Sequence, residues 1–183
     1  MDNIAEQKNF VKINMRAIKV RSVSAPPAAP ETEIDRIDKA ILRLLQRDAS
    51  ISNVVLAEKV NLSPPACLRR VDRLKKMGLI TGVVALLNTR ALGAGMLVMI
   101  GVVLDRSTPE SFADFEHAAA KVSGCMECHV VTGEFDYFML VRTRDSDTFN
   151  QLHAQQLLYL PGVRQIRSFV VLRQVMSTTQ IPV

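Results

Sequence analysis

Apolar residues at Ile34, Ile37, Ile41, Leu44 and Leu45 fall three and four positions apart and predict an amphipathic helix. Asp48 to Asn53 supplies a turn and a cap, after which Val54, Val55, Leu56 and Val60 predict a short second helix. Asn61 suits the left-handed residue that ends it. Ser63 suits the N-cap of a third helix, with Pro64 at the first helical position, where a missing N–H is tolerated. In that helix Cys67, Val71 and Leu74 recur at i, i+4 and i+7 and predict its inward side. Gly78 suits the C-cap, and the uncharged aliphatic run Leu79–Leu87 predicts a flanking strand.

The pattern changes after Asn88. Met96–Leu104 is an unbroken apolar run, which predicts a strand buried on both faces. Thr108-Pro109-Glu110 caps a helix with Phe112, Phe115, Ala119 and Val122 on one stripe. Met126–Val131 and Tyr137–Arg142 are strand-like and separated by five residues, too few for a parallel crossover, so they predict a hairpin. Asp145 or Ser146 caps a second helix with Phe149, Leu152, Leu157 and Leu160 inward, Pro161-Gly162 ends it, and Val163–Leu172 predicts the last strand. The order βαββαβ is ferredoxin-like. Both helices then lie on one side of the sheet, and strands this apolar need cover on the other, which a second copy of the chain supplies.

The expected fold is therefore α+β, a winged helix-turn-helix unit followed by a ferredoxin-like βαββαβ unit. Its expected divisions are a tail over 1–33, the helical unit and hinge strand over 34–93, the βαββαβ unit over 94–175 and a C-terminal tail over 176–183. Charge separates the two units. Residues 34–93 hold eleven Lys and Arg against five Asp and Glu, whereas 96–172 hold six against nine. The excess of +5 on the whole chain thus belongs to the helical unit. Its third helix alone sets Arg69, Arg70, Arg73, Lys75 and Lys76 against Asp72, and its first turn, Pro64-Pro65-Ala66, carries little bulk, so its backbone can approach a groove closely. A solvated surface helix has such charges too. The four-residue break before it is what points to a reader of double-stranded DNA through Ser63, Pro65, Ala66, Arg69, Arg70 and Arg73, with a salt-sensitive phosphate component.

At 183 residues and 48% hydrophobic, the chain can bury a proper core. It has no apolar run long enough to span a bilayer and no secretory leader pattern, and three cysteines make no disulfide framework. The expectation is a cytoplasmic, nucleoid-associated protein with no membrane contact. Residues 1–33 end in the stiff run Ala25–Pro30 and carry Lys8, Lys12, Arg16, Lys19 and Arg21; composition favours a disordered extension over a DNA-contacting basic arm.

Cys125-Met126-Glu127-Cys128-His129 matches the haem c attachment pattern and offers thiols for a metal or redox role. Haem attachment of that kind requires export, and alternation along a strand sends Cys128 and His129 to opposite faces. No metal or cofactor is expected. His117 and His153, on helices, are read as structural. There is no phosphate-binding glycine loop, nucleophile elbow or carboxylate pair, so an enzyme is not expected.

The chain resembles the Lrp/AsnC, or feast/famine, transcriptional regulators over most of residues 34–175. The matching residues are Ile37-Asp38 with Ile41-Leu42, Ser52-Asn53 with Leu56-Ala57, Leu62-Ser63-Pro64 with Cys67 and Arg70-Val71, Leu74 with Gly78, and Ala85–Asn88. They continue through Glu127-Cys128, Val131–Gly133, Asp136-Tyr137, Leu160–Val163 and Val170-Val171. The resemblance implies a DNA-binding domain, a hinge, an amino-acid effector domain, and homodimers that assemble to a homo-octamer. It singles out Val130, Gly133, Asp136, Tyr137 and Val170 for the effector. Gly133 lets backbone amides approach a carboxylate, and Asp136 offers a counter-charge for an ammonium. Turn chemistry alone reads Thr132–Asp136 as a hairpin turn with Asp136 in a local bond. Two other functions stay open: an oligomeric small-molecule-binding module with secondary DNA contacts, and a thiol or metal sensor using Cys125 and Cys128.

Overall fold

The computed structural model describes residues 34–183; the N-terminal tail, with its basic arm and proline run, lies outside the described residues. Three helices come first: α1 (Arg36–Arg47), α2 (Asn53–Lys59) and α3 (Pro64–Lys76). Asp35 caps α1 in a reciprocal capping box with Asp38, and Ser52 caps α2. Asn61 takes φ 54 and Gly78 φ 75, so α2 and α3 end as their sequences predict. Ile41, Leu56, Ala57, Cys67, Val71 and Leu74 form the core of this unit.

Four details differ from expectation. Ser63 occupies the N-cap of α3 but its side chain makes no capping bond; Pro65, at the second helical position, removes one of the two amides it could serve. On α1, Leu42 is buried while Leu44 and Leu45 are only partly so, and Asp38 is fully buried among them. Residues 79–87 form no strand: the aliphatic run suits an extended chain, yet a strand also needs a neighbour for its backbone, and no ladder partner exists among the described residues. Residues 176–183, read as a tail, return to α1, where Ile181 and Val183 bond to Gln46 and Arg43.

The second unit comprises β1 (Met96–Leu104), α4 (Pro109–Ala119), β2 (Cys125–Val130), β3 (Tyr137–Thr143), α5 (Ser146–Gln155) and β4 (Val163–Val170), with a 3₁₀ turn at Leu157–Tyr159 before β4. Thr108 and Asp145 cap α4 and α5. The strands make one antiparallel sheet in the order β2-β3-β1-β4, the ferredoxin-like arrangement. Val98, Ile100 and Val102 of β1 and Tyr137, Met139 and Val141 of β3 pack with Phe115, Ala119, Phe149 and Leu152 of the helices. The final strand stops at Val170, two residues short of the predicted end.

The other face of the sheet is open. Met99 and Phe169 pair across β1 and β4 and are about half exposed. Arg167 pairs with Gly101 on the same face, and Phe135, from the β2–β3 turn, lies over Gly101 so closely that a Cβ there would sit 2.7 Å from its ring. Phe138 and Phe169 flank Phe135 at 5.1 and 6.3 Å between ring centroids, and the Arg167 guanidinium stands 5.7 Å above it.

Candidate DNA-reading surface and effector site

The start of α3 is open to an approaching surface. Ser63 and Pro65 are exposed, Ala66 is half-buried, and Asn53 fastens this end to α2 by donating from Nδ2 to the Pro64 carbonyl (2.8 Å). Arg69 is exposed, as are Lys75 and Lys76 farther along.

The other two arginines are engaged elsewhere. Arg70 Nη1 donates to Asp35 Oδ2 (2.6 Å) and to Asp38 Oδ1 (2.9 Å), and Arg73 Nη2 pairs with Asp38 Oδ2. Asp38 has no exposed surface, so its charge is compensated by these arginines and the capping bond. The Asp38 backbone N–H and the Arg70 guanidinium hold the Asp35 carboxyl below the usual carboxylate range, and both aspartates hold the Arg70 guanidinium above its ordinary value. Arg70 and Arg73 therefore position α3 on α1. Arg73, half exposed, keeps a free edge; Arg70 is mostly covered. Asp38 stands four residues after Ile34 and three before Ile41, on the inward side of α1, but a reading of apolar positions passes over it because its side chain is charged.

The β2–β3 turn gathers some of the expected effector residues. Gly133 takes φ 117, which favours glycine, with open space where a side chain would be. Asp136 is half-buried; its Oδ2 accepts from Leu104 N–H (2.8 Å) and its backbone N–H donates to the Val102 carbonyl (2.9 Å), which ties the turn to the end of β1. Val130, at 63% exposure, stands beside them at the end of β2.

The remaining two do not join them through their side chains. Tyr137 turns inward: it is 1% exposed, packs on Phe112 and Phe115, and donates to Glu116 Oε1 (2.8 Å). Burial and that bond raise its hydroxyl well above the ordinary value. Strand alternation explains it, since Tyr137 shares the helix-facing parity of Met139 and Val141. Val170 shares a row with Val98, Val141 and Cys125, whereas the turn lies at the row of Val102, Tyr137 and Val130. That separation is roughly 13 Å along the strands and roughly 14 Å across three strand spacings. Within one chain, Val170 is not part of the turn.

Cys125 and Cys128 both align with residues of the helix-covered face, Val141 and Met139, because the ladder slips between Cys125 and Glu127. Desolvation raises both thiols, Cys128 to about 12 with help from Cys125 and Glu116. Neither therefore has the lowered thiol value that marks an activated cysteine, although Cys128 is exposed. Among the described residues no group of three or more His, Cys, Asp or Glu side chains is placed to hold a metal ion, and no helix is long and apolar enough to cross a membrane. The two helical histidines have neighbours: His117 Nε2 lies 2.8 Å from Lys121 Nζ, and His153 packs near Phe149.

Comparison with known proteins follows the same division. Residues 34–81 match a winged helix-turn-helix DNA-binding model and residues 97–181 match the Lrp/AsnC ligand binding domain. The leucine-responsive regulatory proteins of Klebsiella pneumoniae and Escherichia coli K12 are each 42% identical over 152 residues, covering 83% of this chain and 93% of theirs. A transcriptional regulator of Neisseria meningitidis, crystallised in complex with L-Met, superposes with a TM-score of 0.78 at 32% identity, over 82% of this chain and 97% of its own. An AsnC family regulator from Agrobacterium tumefaciens also gives 0.78, at 26% identity, over 81% of this chain and 97% of its own.

Proposed function

The chain belongs to the Lrp/AsnC family of DNA-binding transcriptional regulators, a family of regulators and not of enzymes, and on that premise we propose that it senses a free amino acid at the β2–β3 turn. The observation that carries this reading is the pairing of an open backbone at Gly133 with Asp136, whose Oδ2 is fixed by Leu104 while Oδ1 has no hydrogen-bond partner among the described residues. Exposed amides meet the ligand carboxylate, Asp136 Oδ1 meets its ammonium, and Val130 supplies an apolar wall. Tyr137 contributes only its backbone. Val170, remote within the chain, joins from a neighbouring copy, which places the effector at a contact between dimers. The open sheet face makes the homodimer, and dimers assemble further to an octamer.

On the DNA side, Ser63, Pro65, Ala66 and Arg69 meet the duplex directly; Arg73 offers its free edge, and Arg70 holds the helix in place. The protein works on the nucleoid in the cytoplasm. A regulator with these parts responds to its ligand through the assembly, since ligand shifts DNA occupancy only as far as its affinity differs between forms.

The test is Asp136→Asn, which keeps an acceptor for Leu104 N–H and removes the charge. Calorimetry against the twenty amino acids should find a ligand for the parent chain. The variant should bind it at least about tenfold more weakly, a difference of about 1.4 kcal/mol. Equal affinity would remove Asp136 from the site.

A further inference from the structure

The chain leaves the sheet at Val170 and has no helix or strand afterwards, yet its last residues are held. Gln46 treats Ile181 as a strand neighbour would: its side-chain amide donates to the Ile181 carbonyl (3.2 Å) and accepts from the Ile181 N–H (2.6 Å). Arg43, three residues earlier and so on the same side of α1, donates from Nε (2.9 Å) and Nη2 (2.5 Å) to the Val183 main-chain oxygen. Thr178 Oγ1 accepts from Gln180 N–H (3.0 Å), which turns the chain towards this contact. Val183 packs against the apolar cluster of α1, α2 and α3.

These are four hydrogen bonds to main-chain atoms, all from the reader's supporting helix, and one apolar anchor in the core shared by its three helices. The segment they hold is continuous with β4 of the sensor sheet. Reader and sensor are thus joined twice: covalently through residues 81–95, which form no strand or helix, and through the returning tail. One flexible connection leaves a domain free to rotate; two connections that leave by different routes restrict its orientation. Beside the contact runs an apolar groove of about 730 Å³, lined among others by Leu42, Leu45, Leu56, Val84, Ile181 and Val183. Its walls come from the helices, the hinge and the tail together, so a change in any one changes the space shared by the other two.

We propose that residues 178–183 are a strap seated on Arg43 and Gln46, and that this seat fixes the direction in which α3 is presented to DNA. The proposal deepens the regulatory reading and rests on it for the DNA readout, but the seat itself needs neither DNA nor effector. Its removal acts on the choice between DNA sites of different half-site spacing, because spacing is set by the relative direction of two readers; affinity for a single half-site is set by α3.

The full chain supplies the test. Hydrogen exchange at the Ile181 amide should speed up by about tenfold or more in Arg43→Ala/Gln46→Ala. With Cys125 and Cys128 replaced by Ser, a short bismaleimide should join Gln46→Cys to Ile181→Cys within one chain. A chain ending at Ser177 should keep single half-site affinity within about twofold while its preference between two half-site spacings falls by about threefold or more. Unchanged exchange at Ile181 in the double variant overturns the seat. Cross-links that form only between chains assign the seat to another copy and overturn the strap as stated. Unchanged spacing preference in the shortened chain overturns its orienting role. A failed effector assignment leaves the exchange and cross-linking results untouched, so the two readings fail separately.

Discussion

In the reader, an aspartate with no exposed surface draws two arginines of α3 onto α1. In the sensor, one face of the sheet is covered by α4 and α5 while the other holds Met99, Phe135 and Phe169 with no element across them among the described residues. The first unit spends charge on fixing an internal direction. The second leaves apolar surface for a partner. The difference predicts two kinds of dependence: the reader on a few ionic contacts, and the sensor on concentration, if the open face is buried against a second copy as proposed.

The largest expected effect breaks the ionic side of that comparison. Asp38→Ala removes the capping-box partner and the common acceptor of Arg70 and Arg73. It should destabilise the reader by about 3 kcal/mol, the lower end for breaking a buried pair, since both arginines can still reach water. Chemical denaturation should show this with the sensor sheet left intact. A loss comparable to a surface substitution would mean that the network only decorates the helix packing.

Next comes the apolar side. Phe169→Asp places a carboxylate on the open face and should weaken homodimerisation about 100-fold, or about 2.7 kcal/mol, as read by light scattering across a concentration series. The monomer should remain folded, because Phe169 is half exposed on a face that the helices do not cover. Unaltered assembly would place the dimer contact elsewhere.

A smaller pair of substitutions sharpens the distinction inside α3. Arg69→Ala should lower duplex affinity by about 1–3 kcal/mol, if it meets a base edge, with little change in melting temperature. Arg70→Ala should do the reverse in kind, lowering stability by about 1–2 kcal/mol through its lost bonds to Asp35 and Asp38. Identical behaviour of the two variants in both measurements would erase the division between reading and positioning arginines.

The smallest effect is acidic. Asp35 and Asp48 in the reader and Asp145 in the sensor have carboxyls held below the usual range, the first by the Asp38 amide and Arg70, the second by Ser50, the third by Thr148. A depressed folded value contributes stability that is present above the unfolded value, about pH 4, and is lost as pH falls through the folded one. Melting temperature should be flat from neutrality down to about pH 4.5 and fall below it. A fall that begins near pH 6.5 would point to a histidine instead.

Much of this was legible in the residues. Apolar spacing and strand-like runs mark the helices and the four strands of the sheet, β1 by an unbroken apolar run and not by alternation, and Asn61, Gly78, Thr108 and Asp145 mark ends where the structure has them. What was not legible depends on convergence in space. Arg70 and Asp35 are 35 residues apart, and nothing in either helix alone says that one neutralises the other. Gln46 and Ile181 are separated by 135 residues, and an unstructured terminus offers no pattern from which to read its landing place. The run at 79–87 shows the opposite failure: its composition fits a strand, but pairing belongs to the neighbour and not to the segment. For the turn at Gly133, the strand signal placed Val130 and Tyr137 correctly in the hairpin, while the register needed to separate Val170 from them comes only from the ladder through β1.

Gly101 carries a consequence for how such a protein can change its specificity. Its missing side chain is the space that Phe135 fills, so the residue next to Asp136, in the turn we propose as the effector site, is also part of the sheet's open apolar surface. A turn remodelled for a larger or smaller effector cannot alter its path without lifting or shifting that ring. If the turn holds the effector and the open face meets a second copy, recognition and assembly share one movable part, and inherited changes in what the protein senses will carry with them changes in how its subunits meet.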